Sequence, residues 1–188
     1  NRMVDPRDLR QDFGDTAVSR GQTPSRLEDF HKDLLISQET LGKKPDLKVY
    51  KDSLKHDTIG YGHKLTDAEK ASGKFKDGIS EEEAWEMFER DYAQAVKDVD
   101  SILKEKNISY IPEEARLVLV NMAYNMGKGY VDEKGKKKKG LKSFVKMFDA
   151  IKNGDVGNII YEMIDSDWYK QVPNRANELI KLMAQAYK

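Results

Sequence analysis

The stretch VYKDSLKHDTIGYGH, residues 49–63, decides how the rest of the chain is read. It leaves a β-prone run at Leu47 and Val49, crosses a polar turn at 53–57, and re-enters a second run at Thr58, Ile59 and Tyr61. Short apolar runs on either side of a polar turn are the mark of paired strands. Gly60 and Gly62 alternate with Ile59, Tyr61 and His63. Glycine at every second strand position leaves one face bare, which suits a backbone that another group approaches closely. Residues 47–66 are therefore expected to form a small hairpin or sheet with a groove-facing side, and Asp52 to end its first strand.

Around this unit the pattern is helical. Upstream, Ser25 followed by Glu28 is a capping-box pattern, and Leu27, Phe30, Leu34 and Leu35 recur at helical spacing. The spacing predicts a helix over 26–39 that delivers Glu39 at its C-terminal end, before Gly42 and Pro45 stop it. Downstream, Ser80 and Glu83 repeat the cap ahead of Ala84, Phe88, Tyr92, Ala95, Val99 and Ile102. An unbroken helix over 81–103 spans about 35 Å at 1.5 Å per residue, enough to join two lobes. Pro112 suits the first residue of a helix whose stretch 117–126 is apolar almost all round, apart from Asn121 and Asn125, as in the centre of a bundle. Amphipathic stretches at 141–152, 156–164 and 174–186 follow, the last two split by Trp168 and Pro173. Residues 1–25 mix Asp5, Asp8, Asp12 and Asp15 with Arg2, Arg7, Arg10 and Arg20, and are expected to be a charged arm or linker. The fold class is thus α+β and predominantly helical. A small β-containing lobe covers about 40–79, a connecting helix 81–103, and a helical lobe about 107–188, on which the helix 26–39 packs.

Composition removes several function classes. The chain of 188 residues has no cysteine, so disulfides, thiolate metal sites and cysteine nucleophiles are out. Its 33 Lys and Arg balance 33 Asp and Glu, which leaves no global field to steer it onto nucleic acid or an anionic membrane. The longest apolar run, 117–124, is far short of a membrane span, so no stable membrane insertion is expected, and no secretory leader is visible. With only His31, His56 and His63 and no HExxH, no metal or other cofactor is expected. GYGHKL at 60–65 lacks the spacing of a phosphate-binding loop, and no GxSxG elbow occurs.

Carboxylate chemistry remains. Glu39 at a helix end and Asp52 at a strand end, a short loop apart, are two acids brought from different elements toward one cleft. Glycoside hydrolysis needs such a pair: one protonates the leaving oxygen, while the other stays ionised and orients water or attacks the sugar. Acidic residues are mostly solvated surface, so the pair alone decides little.

The surrounding motifs decide more. The 49–63 string resembles the phage-type lysozyme (endolysin) family, to which the lysozymes of T-even phages belong. The similarity continues through Ile79, Ser80, Ala84, Phe88 and Asp91, through NMAYNMG at 121–127, and through SDWYKQVPNRA at 166–176. It covers about 34–188 and implies a two-lobed lysozyme-like fold without cofactors. By that resemblance Glu39 matches the general acid, Asp52 the second acid, and Thr58 the hydroxyl that positions the attacking water, in an inverting mechanism. Arg175 matches the arginine that pairs with the acid. Gly62, Leu65, Tyr124, Asn125 and Arg175 are assigned to substrate binding. Asn125 is either a cleft amide or a cap near the end of the central helix, and the resemblance favours the cleft. His63, tempting as a base, is implied instead to form a structural pair with Asp91. Trp168 is expected in the core.

Two departures from the family pattern stand out. The segment with Gly42, Lys43, Lys44 and Pro45 is about four residues longer than in the prototype, and Asp167 replaces a basic residue. Residues 128–142 hold seven lysines against Asp132 and Glu133, a local excess of five positive charges, and are expected as a solvated loop. The implied function is a muramidase cutting the β-1,4 bond between N-acetylmuramic acid and N-acetylglucosamine of peptidoglycan. The alternative is a lysozyme-like wall-binding or virion module with masked activity. A monomer is expected, tethered through its arm to a larger phage protein in one version, with no nucleic acid partner. It is placed in the host cytoplasm before release to the periplasm through a holin, or on the virion.

Overall fold

A computed structural model describes residues 25–188, and the expected arm, apart from Ser25, lies outside the described residues. Helix α1 (Arg26–Glu39) starts where the Ser25 Oγ accepts the Glu28 N–H at 3.1 Å, which satisfies one of the free donors of a helix start. Its buried face is Leu34, Leu35 and Ile36, together with His31. After a turn containing Gly42 and Lys43, the antiparallel sheet forms in the order β1 (Asp46–Lys51), β2 (Asp57–Gly60), β3 (His63–Lys64). Tyr50 faces Thr58 across β1 and β2, and Ile59 faces His63 across β2 and β3. The bare strand face is used in two ways. Gly60 lies against Ala84 of the long helix, whereas Gly62 lies against Glu39. Only Gly62 therefore meets the expectation of a glycine facing a functional group.

Helix α2 (Asp67–Ser72) was not foreseen, although Thr66 and Glu69 form a complete capping box and Gly73 closes it in the left-handed conformation. The long helix α3 (Glu81–Glu105) has its own complete box from Ser80 and Glu83, and at 25 residues runs about 37 Å. Ile59, Phe75 and Met87 make a small core between sheet and helix, with Leu65 and Ile79 packed against it. Every other buried apolar side chain of the main cluster belongs to the helical part.

That part is built around α4 (Glu113–Met126), buried continuously from Leu117 to Ala123. The expected helix over 141–152 begins as a 3-10 turn (Leu141–Ser143) and becomes α5 (Val145–Asn153), since Phe144 at ψ 55 breaks the run. Helices α6 (Val156–Ile164) and α8 (Pro173–Ala186) match the spacing, and between them lies an unforeseen short helix α7 (Asp167–Gln171) capped by Ser166. Trp168 is buried, as expected. The fold is α+β and mostly helical, with a small sheet joined by a long helix to a helical bundle.

Phe88, 1% exposed, stands at the junction of these parts. Its ring meets Tyr61 from the sheet, Trp85 and Tyr92 along α3, and Tyr124 from α4, all at centroid distances of 5.3–5.9 Å. Edge and tilted contacts of this kind add to area burial and fix the angle at which the elements meet. The cluster thereby ties the turn after β2 to α3 and α4. No helix among the described residues is long and apolar enough to cross a membrane.

Candidate active site

Glu39 is the last residue of α1, and its carboxylate is held from two sides. Arg175, from the first turn of α8, donates Nη1 to Glu39 Oε1. Gly62 lies on the other side at φ +81°, so close that a Cβ there would run into the Glu39 carboxylate. Arg175 is itself buried, and Nε donates to Asn121 Oδ1 at 2.9 Å. Asn121 Nδ2 in turn donates to Gln38 Oε1 at 2.8 Å. The chain of bonds thus leaves α1 at Gln38, passes through α4 and α8, and returns to α1 at Glu39. Because Gln38 takes the amide N–H, the Asn121 oxygen is the end left for the guanidinium.

Asp52 follows β1 directly. Its Oδ1 accepts the N–H groups of Leu54 at 2.9 Å and His56 at 2.8 Å, and Oδ2 lies 3.3 Å from His56 Nδ1. The turn at 53–57 is therefore wrapped around the carboxylate that it presents. Thr58, buried at the start of β2, donates its hydroxyl to the His56 carbonyl at 2.9 Å. With its proton committed there, the oxygen keeps its lone pairs for an outside donor. Tyr50 pairs with Thr58 across the first two strands. Burial first, then the charges of Asp46, Glu39 and Asp52, push its phenol up to about 12.

Tyr124 and Asn125 come from the end of α4. Tyr124 donates its hydroxyl to the Tyr61 carbonyl at 2.6 Å, and burial together with the charges of Asp91 and Glu39 raises its pKa well above the ordinary range. Asn125 Oδ1 accepts the Trp168 indole N–H at 3.1 Å, and its backbone carbonyl accepts from Lys64 Nζ at 2.8 Å. Gly62, Tyr124 and Asn125 line one hollow of about 290 Å³. Asn125 and Lys64 also line a larger groove of about 1030 Å³, which continues past His56 and Trp168 toward Tyr130 and Lys139. Glu39, Asp52 and Thr58 line neither; Gly62, which lines the hollow, abuts Glu39. Leu65 packs into the small core, and its N–H donates to the Asp57 carbonyl. In the longer segment after Glu39, Lys43 pairs with Asp33 at 2.8 Å, which anchors the insertion back on α1.

His63 bonds Asp91 through Nδ1 at 2.7 Å and Glu69 through Nε2 at 2.9 Å. Burial alone would lower its pKa, but the bonds and charges of Asp91 and Glu69 outweigh it and the net shift is upward. A raised folded-state pKa stabilises the protein fully below the unfolded value of 6.5 and ceases to do so as pH rises through the folded value. Glu69 is shifted down, burial being outweighed by the Thr66 cap and His63, so its share fades as pH falls through its own folded value. Replacing His63 by Gln is expected to lower Tm most near pH 6 and progressively less above it, in melts followed by circular dichroism between about pH 5 and about pH 9. His31 acts oppositely. Burial brings it down to about 4, so it weakens the fold as pH falls from 6.5 toward 4. Among the described residues no cluster of His, Cys, Asp or Glu could hold a metal ion.

The family model described as phage lysozyme matches residues 44–175, a span that holds Asp52, Thr58, Asn121 and Arg175 and starts just after Glu39. The chain is 30% identical to the pre-baseplate central spike protein Gp5 of Enterobacteria phage T4, over 73% of this chain and 25% of that protein. It is 27% identical to probable T4-type lysozymes 2 and 1 of Dictyostelium discoideum, over 80% and 81% of this chain and 91% and 92% of theirs. The chain thus spans a quarter of Gp5 but nearly all of the two amoebal proteins. With more than two thirds of its length inside the family model, the chain belongs to the phage lysozyme family.

Proposed function

We propose that the protein is a muramidase that cleaves the β-1,4 bond between N-acetylmuramic acid and N-acetylglucosamine by general acid and base catalysis with inversion. The observation that carries this reading is the Glu39 carboxylate, paired with the buried Arg175 and closely approached by Gly62. Glu39 gives its proton to the glycosidic oxygen as that bond breaks. Asp52 takes a proton from a water whose other hydrogen is accepted by Thr58 Oγ1, and the water oxygen attacks the anomeric carbon from the opposite face. The polymer lies along the hollow and groove. There Asn125, its oxygen already bonded to Trp168, offers its amide N–H groups to an acetamido carbonyl. Gly62 and Tyr124 complete the contact surface, and Leu65 and Arg175 act from behind it. His63 and Asp91 hold the sheet to the long helix.

The protein acts without a cofactor, as a monomer, on bacterial walls during phage infection. It reaches them from the host cytoplasm through a holin-type hole, or on a virion. The likeness to one quarter of a central spike protein supports the second route, and supports the alternative of a wall-binding virion module whose activity is masked. Clearing of a suspension of outer-membrane-stripped Gram-negative cells separates the readings. An active muramidase lowers the turbidity, whereas a masked module sediments with the walls and leaves the turbidity unchanged.

Gly62→Ala is expected to cut activity at least about tenfold, because the new methyl displaces the Glu39 carboxylate, and to cost about 1–2 kcal/mol from the left-handed backbone. Turbidity assays beside urea melts give both numbers. A fully active, equally stable variant would contradict the close approach.

A further inference from the structure

The lysine-rich segment is a folded ribbon rather than a solvated loop. β4 (Tyr130–Val131) pairs antiparallel with β5 (Lys137–Lys138), Tyr130 opposite Lys138 and Val131 opposite Lys137. Asp132 Oδ1 accepts the N–H groups of Lys134 and Lys136, which shapes the turn. The base is clamped: Leu141 N–H donates to the Gly127 carbonyl, Lys142 N–H to the Lys128 carbonyl, and Gly140 crosses Gly129 so closely that any side chain there would meet backbone. Leu141, fully buried, pins this base into the helical core.

The charges divide by position. Lys128 and Lys142, at the base, turn back to Glu105. Lys134, Lys136, Lys137, Lys138 and Lys139 are exposed and form no ion pair with the described residues. Tyr130, 65% exposed, and Lys139 line the same groove as His56, Lys64 and Asn125. Farther along, that groove is lined by Glu162, Asp165 and Asp167 as well as Lys146 and Lys170, whereas the ribbon sets five lysines against Asp132 and Glu133, so the net positive charge lies on the ribbon. A neutral glycan gains nothing from it. An anionic substituent on a polymer already lying in the groove does.

Resting on the muramidase reading, we propose that the 130–139 ribbon is an anion-binding arm of the groove, which holds the carboxylates of the peptide stems borne by the glycan strand. A chain with zero net charge has no long-range field, so this contact acts locally, on KM rather than on kcat, and is screened by salt.

The test uses the full chain and the variant K134Q/K136Q/K137Q/K138Q/K139Q, on intact peptidoglycan and on the same glycan stripped of stems by an amidase, its freed lactyl carboxylates then capped as neutral methylamides. At low ionic strength the wild-type preference in KM for stem-bearing over stripped glycan is expected to shrink about fivefold in the variant, and the difference to vanish at about 0.5 M salt. An unchanged preference overturns the proposal while the muramidase reading stands. An equal loss on both substrates overturns it too, because the ribbon would then serve the glycan or the fold. If the preference is unchanged but the variant alone loses retention on duplex DNA, the patch is a nucleic-acid surface and the proposal fails. Should the wild type cleave neither substrate, the muramidase reading fails, and cosedimentation of both proteins with intact and stripped walls decides the ribbon separately. Salt-sensitive binding to intact walls that the variant loses supports it, and equal binding by both refutes it.

Discussion

Glu39→Gln is expected to abolish clearing of stripped Gram-negative cells, with kcat lowered by about a thousandfold or more and wall binding retained. The change keeps the shape of the side chain and an oxygen for Arg175, but an amide has no proton to give to a leaving oxygen. The far-ultraviolet circular dichroism should therefore match that of the wild type, while the melting transition falls because the buried Arg175 loses its charged partner. A folded Glu39→Gln protein that clears cells at the wild-type rate would show that the acid lies elsewhere, and that the path from α1 to β1 across the longer 40–45 segment has been matched to the family wrongly.

Arg175→Met carries the second large effect, on stability as well as activity. The guanidinium is nearly inaccessible, and two of its nitrogens are bonded to side chains from two other helices. Removing one partner of a buried pair leaves the other uncompensated, at a cost of about 3 kcal/mol. The loss should appear as a lower urea midpoint with an unchanged slope. Activity should fall as well, since Glu39 then loses the contact that fixes its carboxylate beside Gly62. Arg175→Lys should recover only part of either quantity, because an ammonium cannot span Glu39 and Asn121 as the planar guanidinium does. Stability equal to wild type in Arg175→Met would remove the pair from the account.

The elements that frame this site were legible because their signals are local. Ser25 with Glu28 and Ser80 with Glu83 mark helix starts by side chains three residues apart, and the apolar spacing behind them carries to Glu39 in one case and across α3 in the other. The same cap at Thr66 and Glu69 opens α2, but six residues with no buried member offer no apolar stripe to read. The ribbon at 130–138 escaped for a related reason. Its second strand is lysine, and what folds it is a carboxylate in the turn and two glycines crossing at the base.

The candidate site divides along the same line. Glu39, Asp52, Thr58 and Arg175 were singled out by their place in motifs. Gln38 and Asn121, whose bonds tie Arg175 back to the start of its own circuit, are 83 residues apart and belong to no common pattern. The close approach of Gly62 to Glu39 is likewise made by chain segments far apart in sequence. Burial and long-range pairing created these roles, and neither is written in spacing.

The most direct test is the identity of the new chain ends. Purified peptidoglycan digested with the wild-type protein, reduced with borohydride and hydrolysed, should yield the alcohol of muramic acid in step with the loss of turbidity. None should form with Glu39→Gln. Release of glucosaminitol instead, or clearing without any new reducing end, would contradict the assignment of this site as a muramidase.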